Sequence, residues 1–164
     1  MKPTLKAGIL LGILVVAWMF VIGVTGWYKD PVMLNMFYIV VLIEIGVLIW
    51  GLRLTAKEGK TYGGQVGAGT MMAVIGAVII FLGSILFTTV VYPNYFVELR
   101  DVGRQTFIAQ GMTAEQAEAQ IKLMEPTQTP FMQAMTGAVM TVVTGFVASL
   151  VIAAVLRKKP AAQA

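Results

Sequence analysis

The stretch YPNYFVELRDVGRQTFIAQGMTAEQAEAQIKLMEPTQTP, residues 92–130, decides how the rest of the chain is read. It is a long polar interval in a chain of 164 residues that is 58% hydrophobic and only 12% charged, and it holds five of the eight acidic side chains. A soluble domain carries about 25% charged residues, so half that value assigns most of this chain to lipid. Three apolar runs precede the interval, 7–26, 32–52 and 65–91, and one follows it, 131–156. An α-helix rises ~1.5 Å per residue, so about 20 residues cross a ~30 Å hydrocarbon layer. Each run is long enough. The expected architecture is all-α: a single membrane domain over 1–164, a polytopic four-helix bundle with a helical hairpin outside the bilayer between the third and fourth spans.

Inside the interval, residues 94–110 read as a helix, with Tyr95, Leu99 and Val102, joined by Phe96 and Phe107, recurring on one apolar face. Gly111 stops it. Thr113 and Gln116 have the spacing of a capping box, in which hydroxyl and amide satisfy free backbone N–H groups at a helix start. A second helix follows to about Met124, striped by Ala114, Ala117, Ile121 and Met124, with Glu118 and Lys122 spaced as an i,i+4 ion pair. Pro126 and Pro130 end it. The hairpin is expected to lay its apolar side on the bundle or the lipid interface. Glu115 and Glu118 are spaced as a solvated face, a candidate docking surface for another protein and not a paired-carboxylate site.

Composition narrows the chemistry. The chain has no Cys and no His, which removes disulfides, thiolate metal sites, the commonest general base and the commonest haem ligand. Neither an HExxH nor a GxSxG motif occurs. No catalytic, cofactor-binding or metal-binding residue is expected, and the protein is read as a non-enzyme. The net charge of +4 sits at helix ends instead of covering one face, which argues against nucleic acid. The N-terminal run lacks a small-x-small cleavage pattern and is read as a retained anchor.

Orientation follows from Lys and Arg placement. Lys2, Lys6, Arg53, Lys57, Lys60, Arg157, Lys158 and Lys159 fall at one end of the spans, and Lys29, Arg100, Arg104 and Lys122 at the other. The eight-cation end, with both termini, is expected in the cytoplasm. Trp27 and Tyr28 read as an interfacial aromatic belt, and Lys29-Asp30-Pro31 as a tight turn between the first two spans.

The spans carry small residues at regular spacing: Gly8 and Gly12 in the first, Gly69, Gly76 and Gly83 in the third, and Gly137, Thr141, Gly145, Ser149 and Ala153 in the last. In lipid such stripes let helix backbones approach closely, either within the protomer or against a second copy or another protein. One residue does not belong to this scheme. Glu44 is the only charged side chain inside a span, roughly midway along the second. A charged group there costs about 2.5–3.5 kcal/mol on insertion scales. Glu44 is expected to face the bundle, take up a proton and find a hydrogen-bond partner. Trp18 mirrors it through the turn at Pro31, and its indole N–H needs an acceptor. The expected polar cluster is Glu44 with Trp18, and with Ser84, Thr141 and Thr144 at similar depth.

The charged turn and the Gly-rich lead into the third span, Gly51-Leu-Arg-Leu-Thr-Ala-Lys-Glu-Gly-Lys-Thr-Tyr-Gly-Gly-Gln-Val, carry a family pattern. So do Tyr92-Pro93-Asn94-Tyr95-Phe96, the Met-Thr-Ala-Glu-Gln helix start and the Arg-Lys-Lys close of the last span. Together they resemble the bacterial four-helix membrane proteins of unknown function grouped as DUF4199. The resemblance implies a bacterial inner-membrane location, four helices and an outer loop. It brings no activity to carry over. The family's outer junction often has an acidic residue next to the Pro, where this chain has Tyr92 and Asn94. The leading expectation is a structural or accessory membrane subunit, with lipid and a protein partner or second copy around it. The alternative is an oligomeric transporter or channel component using Glu44 as a protonatable group.

Overall fold

A computed structural model describes residues 2–156, so the expected cations Arg157, Lys158 and Lys159 lie outside the described residues. The described residues form six α-helices: α1 (Pro3–Thr25), α2 (Ile39–Ala56), α3 (Tyr62–Leu86), α4 (Tyr95–Ala109), α5 (Ala114–Met124) and α6 (Pro130–Leu156). Four segments, Pro3–Thr25, Met33–Ala56, Tyr62–Val91 and Pro130–Leu156, are long and apolar enough to cross a membrane. The protein is an all-α, multi-pass membrane bundle. α1 packs on α2 and α3, α6 packs on α3 and α2, and α2 touches α3 across the middle.

Lipid tails are as apolar as leucine, so helices in a bilayer associate through close packing and not through escape from water. The small residues supply that packing. A Cβ added to Gly8 would lie 2.7 Å from Ile75 Cβ, and one added to Gly12 would lie 2.5 Å from Ile79 Cβ. The Gly8/Gly12 stripe is therefore occupied by α3 of the same chain. Gly76 receives Leu11, and Gly83 receives Val16, both from α1. Gly69 turns instead toward Ser149 of α6 and Leu52 of α2. Residues seven apart drift by ~20° around a helix, which lets one glycine row serve two neighbours.

Thr141, Gly145, Ser149 and Ala153 of α6 are buried, but Gly137 leaves the seam, with nothing near the position of an added Cβ. Every fourth residue advances about 40° around the helix, so a five-member stripe winds off a straight contact. Ala134, seven before Thr141, is the buried residue at that end.

Two departures from regular α-helix shape the hairpin end. Asp30 Oδ1 accepts the N–H groups of Val32 (2.8 Å) and Met33 (3.3 Å), and the chain then winds as a 3-10 helix over Met33–Tyr38 before α2 begins. The second span thus starts in a tighter coil than the continuous helix expected over 32–52. At the end of α3 the chain widens into a π-helical turn, Phe87–Val91, closed by Tyr92 N–H donating to the Phe87 carbonyl at 2.8 Å.

α4 and α5 form the expected hairpin. The capping box is present: Gln116 N–H donates to Thr113 Oγ1, and Thr113 N–H to Gln116 Oε1. The hairpin does not lie along the bundle, however. α5 rests on α4 and on the link to α6, and α4 meets the rest of the protein chiefly at the turn Trp27–Lys29. The apolar face of α4 is divided: Tyr95 and Phe96 pack with Met19, Ile22 and Phe87 at the end of the bundle, as expected, and Val102 is buried with Ala117 and Ile121 within the hairpin. Glu118 pairs across the hairpin with Arg104 (Nε to Oε2, 2.9 Å), which replaces the expected Glu118–Lys122 pair. Arg100 reaches Glu125 at 2.6 Å.

Gly69→Val should destabilise the bundle by about 1–3 kcal/mol, the usual range for overpacking, because its new atoms meet Ser149. Gly46→Ala, with nothing near its added Cβ, should be neutral or stabilising by up to about 1 kcal/mol. Detergent-driven unfolding midpoints in reconstituted protein check the pair, and equal midpoints would contradict the packing.

Candidate functional site

Two places concentrate polar chemistry on an apolar scaffold. The first is Glu44. Its position in α2 turns it toward α6 and α3, and it is 3% exposed. One carboxyl oxygen, Oε2, lies 2.7 Å from Thr144 Oγ1. The other, Oε1, has no hydrogen-bond partner. It sits against Gly145, where an added Cβ would come within 2.8 Å of it. Gly145 thus serves two purposes: it admits Ala73 of α3 and makes room for the carboxyl.

Of the four candidate partners, the structure brings only Thr144 to Glu44. Trp18 Nε1–H donates to the Met36 carbonyl at 3.0 Å. The mirror relation that paired Trp18 with Glu44 assumed α-helix on both sides of the turn. Six residues of 3-10 helix rotate the chain about 120° further than six of α-helix, and rise about 3 Å more, so the mirror fails and the indole finds a backbone oxygen. Thr141 Oγ1 donates to the Gly137 carbonyl at 2.9 Å. Ser84 is buried, and its carbonyl accepts from Thr88 Oγ1 at 2.8 Å.

The second place is an aromatic knot at the hairpin end. Met19, Ile22, Tyr28, Phe87, Tyr95 and Phe96 form a buried cluster, flanked by Trp18, Trp27 and Tyr92. The rings stack at angles: Tyr28 and Tyr95 centroids are 5.0 Å apart, and Phe87 and Tyr92 4.7 Å. The π turn carries Phe87 inward and delivers Tyr92 beside it. Gly23 is what lets these rings reach α1, since a Cβ there would lie 2.6 Å from Tyr92 and 2.7 Å from Phe87. Tyr28 was expected in an interfacial belt. It is only 2% exposed, and its hydroxyl donates to Glu98 Oε2. Lys29 Nζ reaches the same oxygen at 3.1 Å. Glu98, which the sequence did not single out, is the anchor of α4.

The electrostatics follow from these contacts. Burial, then the carboxylate of Glu98, hold the Tyr28 hydroxyl well above the ordinary tyrosine value. Burial, with Tyr28 nearby, pushes Tyr95 up to about 12. The Tyr28 hydroxyl first, and Lys29 after it, hold the Glu98 carboxyl below the ordinary carboxylate range. Tyr28 is therefore a neutral donor, and Glu98 is a charged acceptor. An open cleft of about 380 Å³ beside them is lined by Gly26, Lys29, Asn94 and Glu98 among others.

A third polar contact, absent from the sequence reading, closes the opposite end. Gln65 and Thr55 are both buried. With its amide turned to satisfy both ends, Gln65 donates to Thr55 Oγ1 (2.7 Å) and accepts from Ala56 N–H (2.8 Å). This ties the start of α3 to the last turn of α2. The signal was a Gln just inside an apolar run, in the same Tyr-Gly-Gly-Gln segment that carries the family pattern.

Because the folded state lowers the Glu98 pKa, its contribution is complete at neutral pH and is lost as pH falls through and below the ordinary value of 4.5. Acidification below about pH 4.5 should loosen the base of α4, read as faster amide exchange in 95–102. Glu98→Gln should exchange faster at neutral pH and lose the acid dependence. An unchanged exchange rate in Glu98→Gln would remove Glu98 as the anchor.

A search of curated proteins and of solved structures finds no match. The family model described as a protein of unknown function, DUF4199, matches residues 6–158. That match covers the four spans and the hairpin between the third and the fourth, and the chain belongs to the DUF4199 family.

Proposed function

We propose that the protein is a non-enzymatic accessory subunit of a bacterial inner-membrane assembly, with the α4–α5 hairpin outside the cytoplasm as its docking element. The observation that carries this reading is the way the hairpin is built. Its base is set into the aromatic cluster by Tyr95 and Phe96 and held there by Tyr28, Lys29 and Glu98, and beyond that base it is cross-linked internally by Arg100 and Arg104 and stands off the spans. A connector that only linked two spans would need neither the ion-pair clamps nor the stand-off. The hairpin also keeps apolar side chains outward: Leu123 is 74% exposed, and Val97 and Ile108 are also exposed. Val97 and Ile108 are eleven residues apart, three turns along α4, so they share a face. Glu115 is exposed, while Glu118 is held by Arg104 and offers less to a partner.

The small-residue stripes favour a docking element elsewhere, because most of them are already filled by helices of the same chain. Lys2, Lys6, Arg53, Lys57 and Lys60 fall at the end opposite the hairpin, which supports a cytoplasmic location for that end under the positive-inside rule.

Two measurements check the proposal. The native chain has no cysteine, so single cysteines at Glu115 and Lys57 can be probed with a membrane-impermeant thiol reagent on intact spheroplasts. Labelling at 115 and not at 57 is expected; the reverse would overturn the orientation. Mild extraction followed by native mass measurement should give a particle larger than the protomer, reduced to the protomer by Leu123→Asp. A wild-type protomer of its own mass under the gentlest extraction would contradict the accessory role.

A further inference from the structure

Among the described residues, Glu44 is the one acidic side chain inside a span, and its hydrogen bonding can be counted proton by proton. Thr144 Oγ1 lies 2.7 Å from Glu44 Oε2 and 2.8 Å from the Met140 carbonyl, with the Thr141 carbonyl at 3.3 Å. Both short separations are full O–H···O hydrogen bonds. A threonine hydroxyl has one proton and two lone pairs. A carbonyl oxygen has no proton to give, so the contact to Met140 takes the hydroxyl proton, in the usual back-bond of a helical threonine. The contact to Glu44 then needs a proton of its own, and only the carboxyl can hold it. The second oxygen gives the same reading. Oε1 has no donor and no cation beside it, a position far more costly for half of a carboxylate than for the carbonyl oxygen of a neutral acid.

No other group stands ready to balance a charge. Between residues 7 and 25 of α1, 63 and 86 of α3, and 130 and 156 of α6 there is no titratable side chain, and Glu44 is the only one between 39 and 52 of α2.

We infer that Glu44 is a proton-binding site in the core of the membrane: it holds its proton at neutral pH and donates it to Thr144, joining α2 to α6. Thr144 is the positioning residue, accepting from the acid and donating its own O–H to the Met140 carbonyl. Gly145 provides the space for the undonated oxygen. This site is independent of the docking role of the hairpin, since it lies within the spans and uses none of its residues.

Infrared spectroscopy of the full chain in lipid bilayers at neutral pH tests the inference. The seven other carboxyl side chains lie outside the spans, so loss of the band on substitution at position 44 assigns it to Glu44. A carboxylic-acid C=O band is expected in the wild type, shifted by labelling with carbonyl-13C glutamate and lost in Glu44→Gln. In Thr144→Val the band should move to higher wavenumber, because the acid loses its acceptor, and Thr144→Ser should return it. Absence of a glutamate acid band in the labelled wild type would overturn the proton-binding site, whether or not Glu44→Gln folds. A band whose position ignores Thr144→Val would overturn the pairing.

Discussion

Close approach of helix backbones is the constraint on which the rest of this structure depends. In water an apolar helix face is driven onto its neighbour by the loss of hydrated surface. In lipid that drive is absent, and the helices must gain from contact alone. α3 makes the closest contacts, receiving Leu11 and Val16 at its glycines and lying against Gly8 and Gly12 of α1 and Gly145 of α6. It is the shared wall of the bundle. Dispersion falls away steeply with distance, so each glycine that admits a neighbour strengthens many contacts at once.

The same constraint explains where polar groups are tolerated. Thr88, Thr141 and Ser149 are buried with their hydroxyls bonded to carbonyls four residues earlier in the same helical segment, and the remaining polar contacts sit at helix junctions. Gln65 and Thr55 join α2 to α3, Glu44 and Thr144 join α2 to α6, and Trp18 fastens α1 to the 3-10 segment ahead of α2. A hydrogen bond fixes rotation and depth in a way that smooth apolar faces do not. The second span, Met33–Ala56, keeps a smaller share buried than the first or the third, and all three ties fall on it, two on α2 and one on the 3-10 segment.

The fold could be read from hydropathy because spans need only length and low charge. The hairpin could be read from Thr113, Gln116 and the prolines, because those motifs act locally. Glu44 stood out since a carboxyl in lipid always requires an explanation. Its partner did not, because Thr144 and Trp18 were placed by depth alone, and depth says nothing of rotation after a 3-10 turn. Glu98 was missed for a related reason. A carboxylate on an amphipathic helix resembles every other solvated charge until a folded neighbour, here Tyr28 seventy residues earlier, is brought to it. The small-residue stripes were visible, but periodicity could not say whether they faced a sibling helix or a second molecule.

The bond between Glu44 and Thr144 joins residues 100 positions apart, and this separation matters during synthesis. A ribosome adding about 5–20 residues per second delivers α6 on the order of 5–20 s after Glu44. In that interval the hairpin between α3 and α6 must also be placed on its side of the bilayer. The first three spans therefore form an assembly intermediate in which the carboxyl has no hydroxyl to meet. The arrival of α6 both closes the four-span bundle and gives the polar group waiting inside it a hydroxyl to meet.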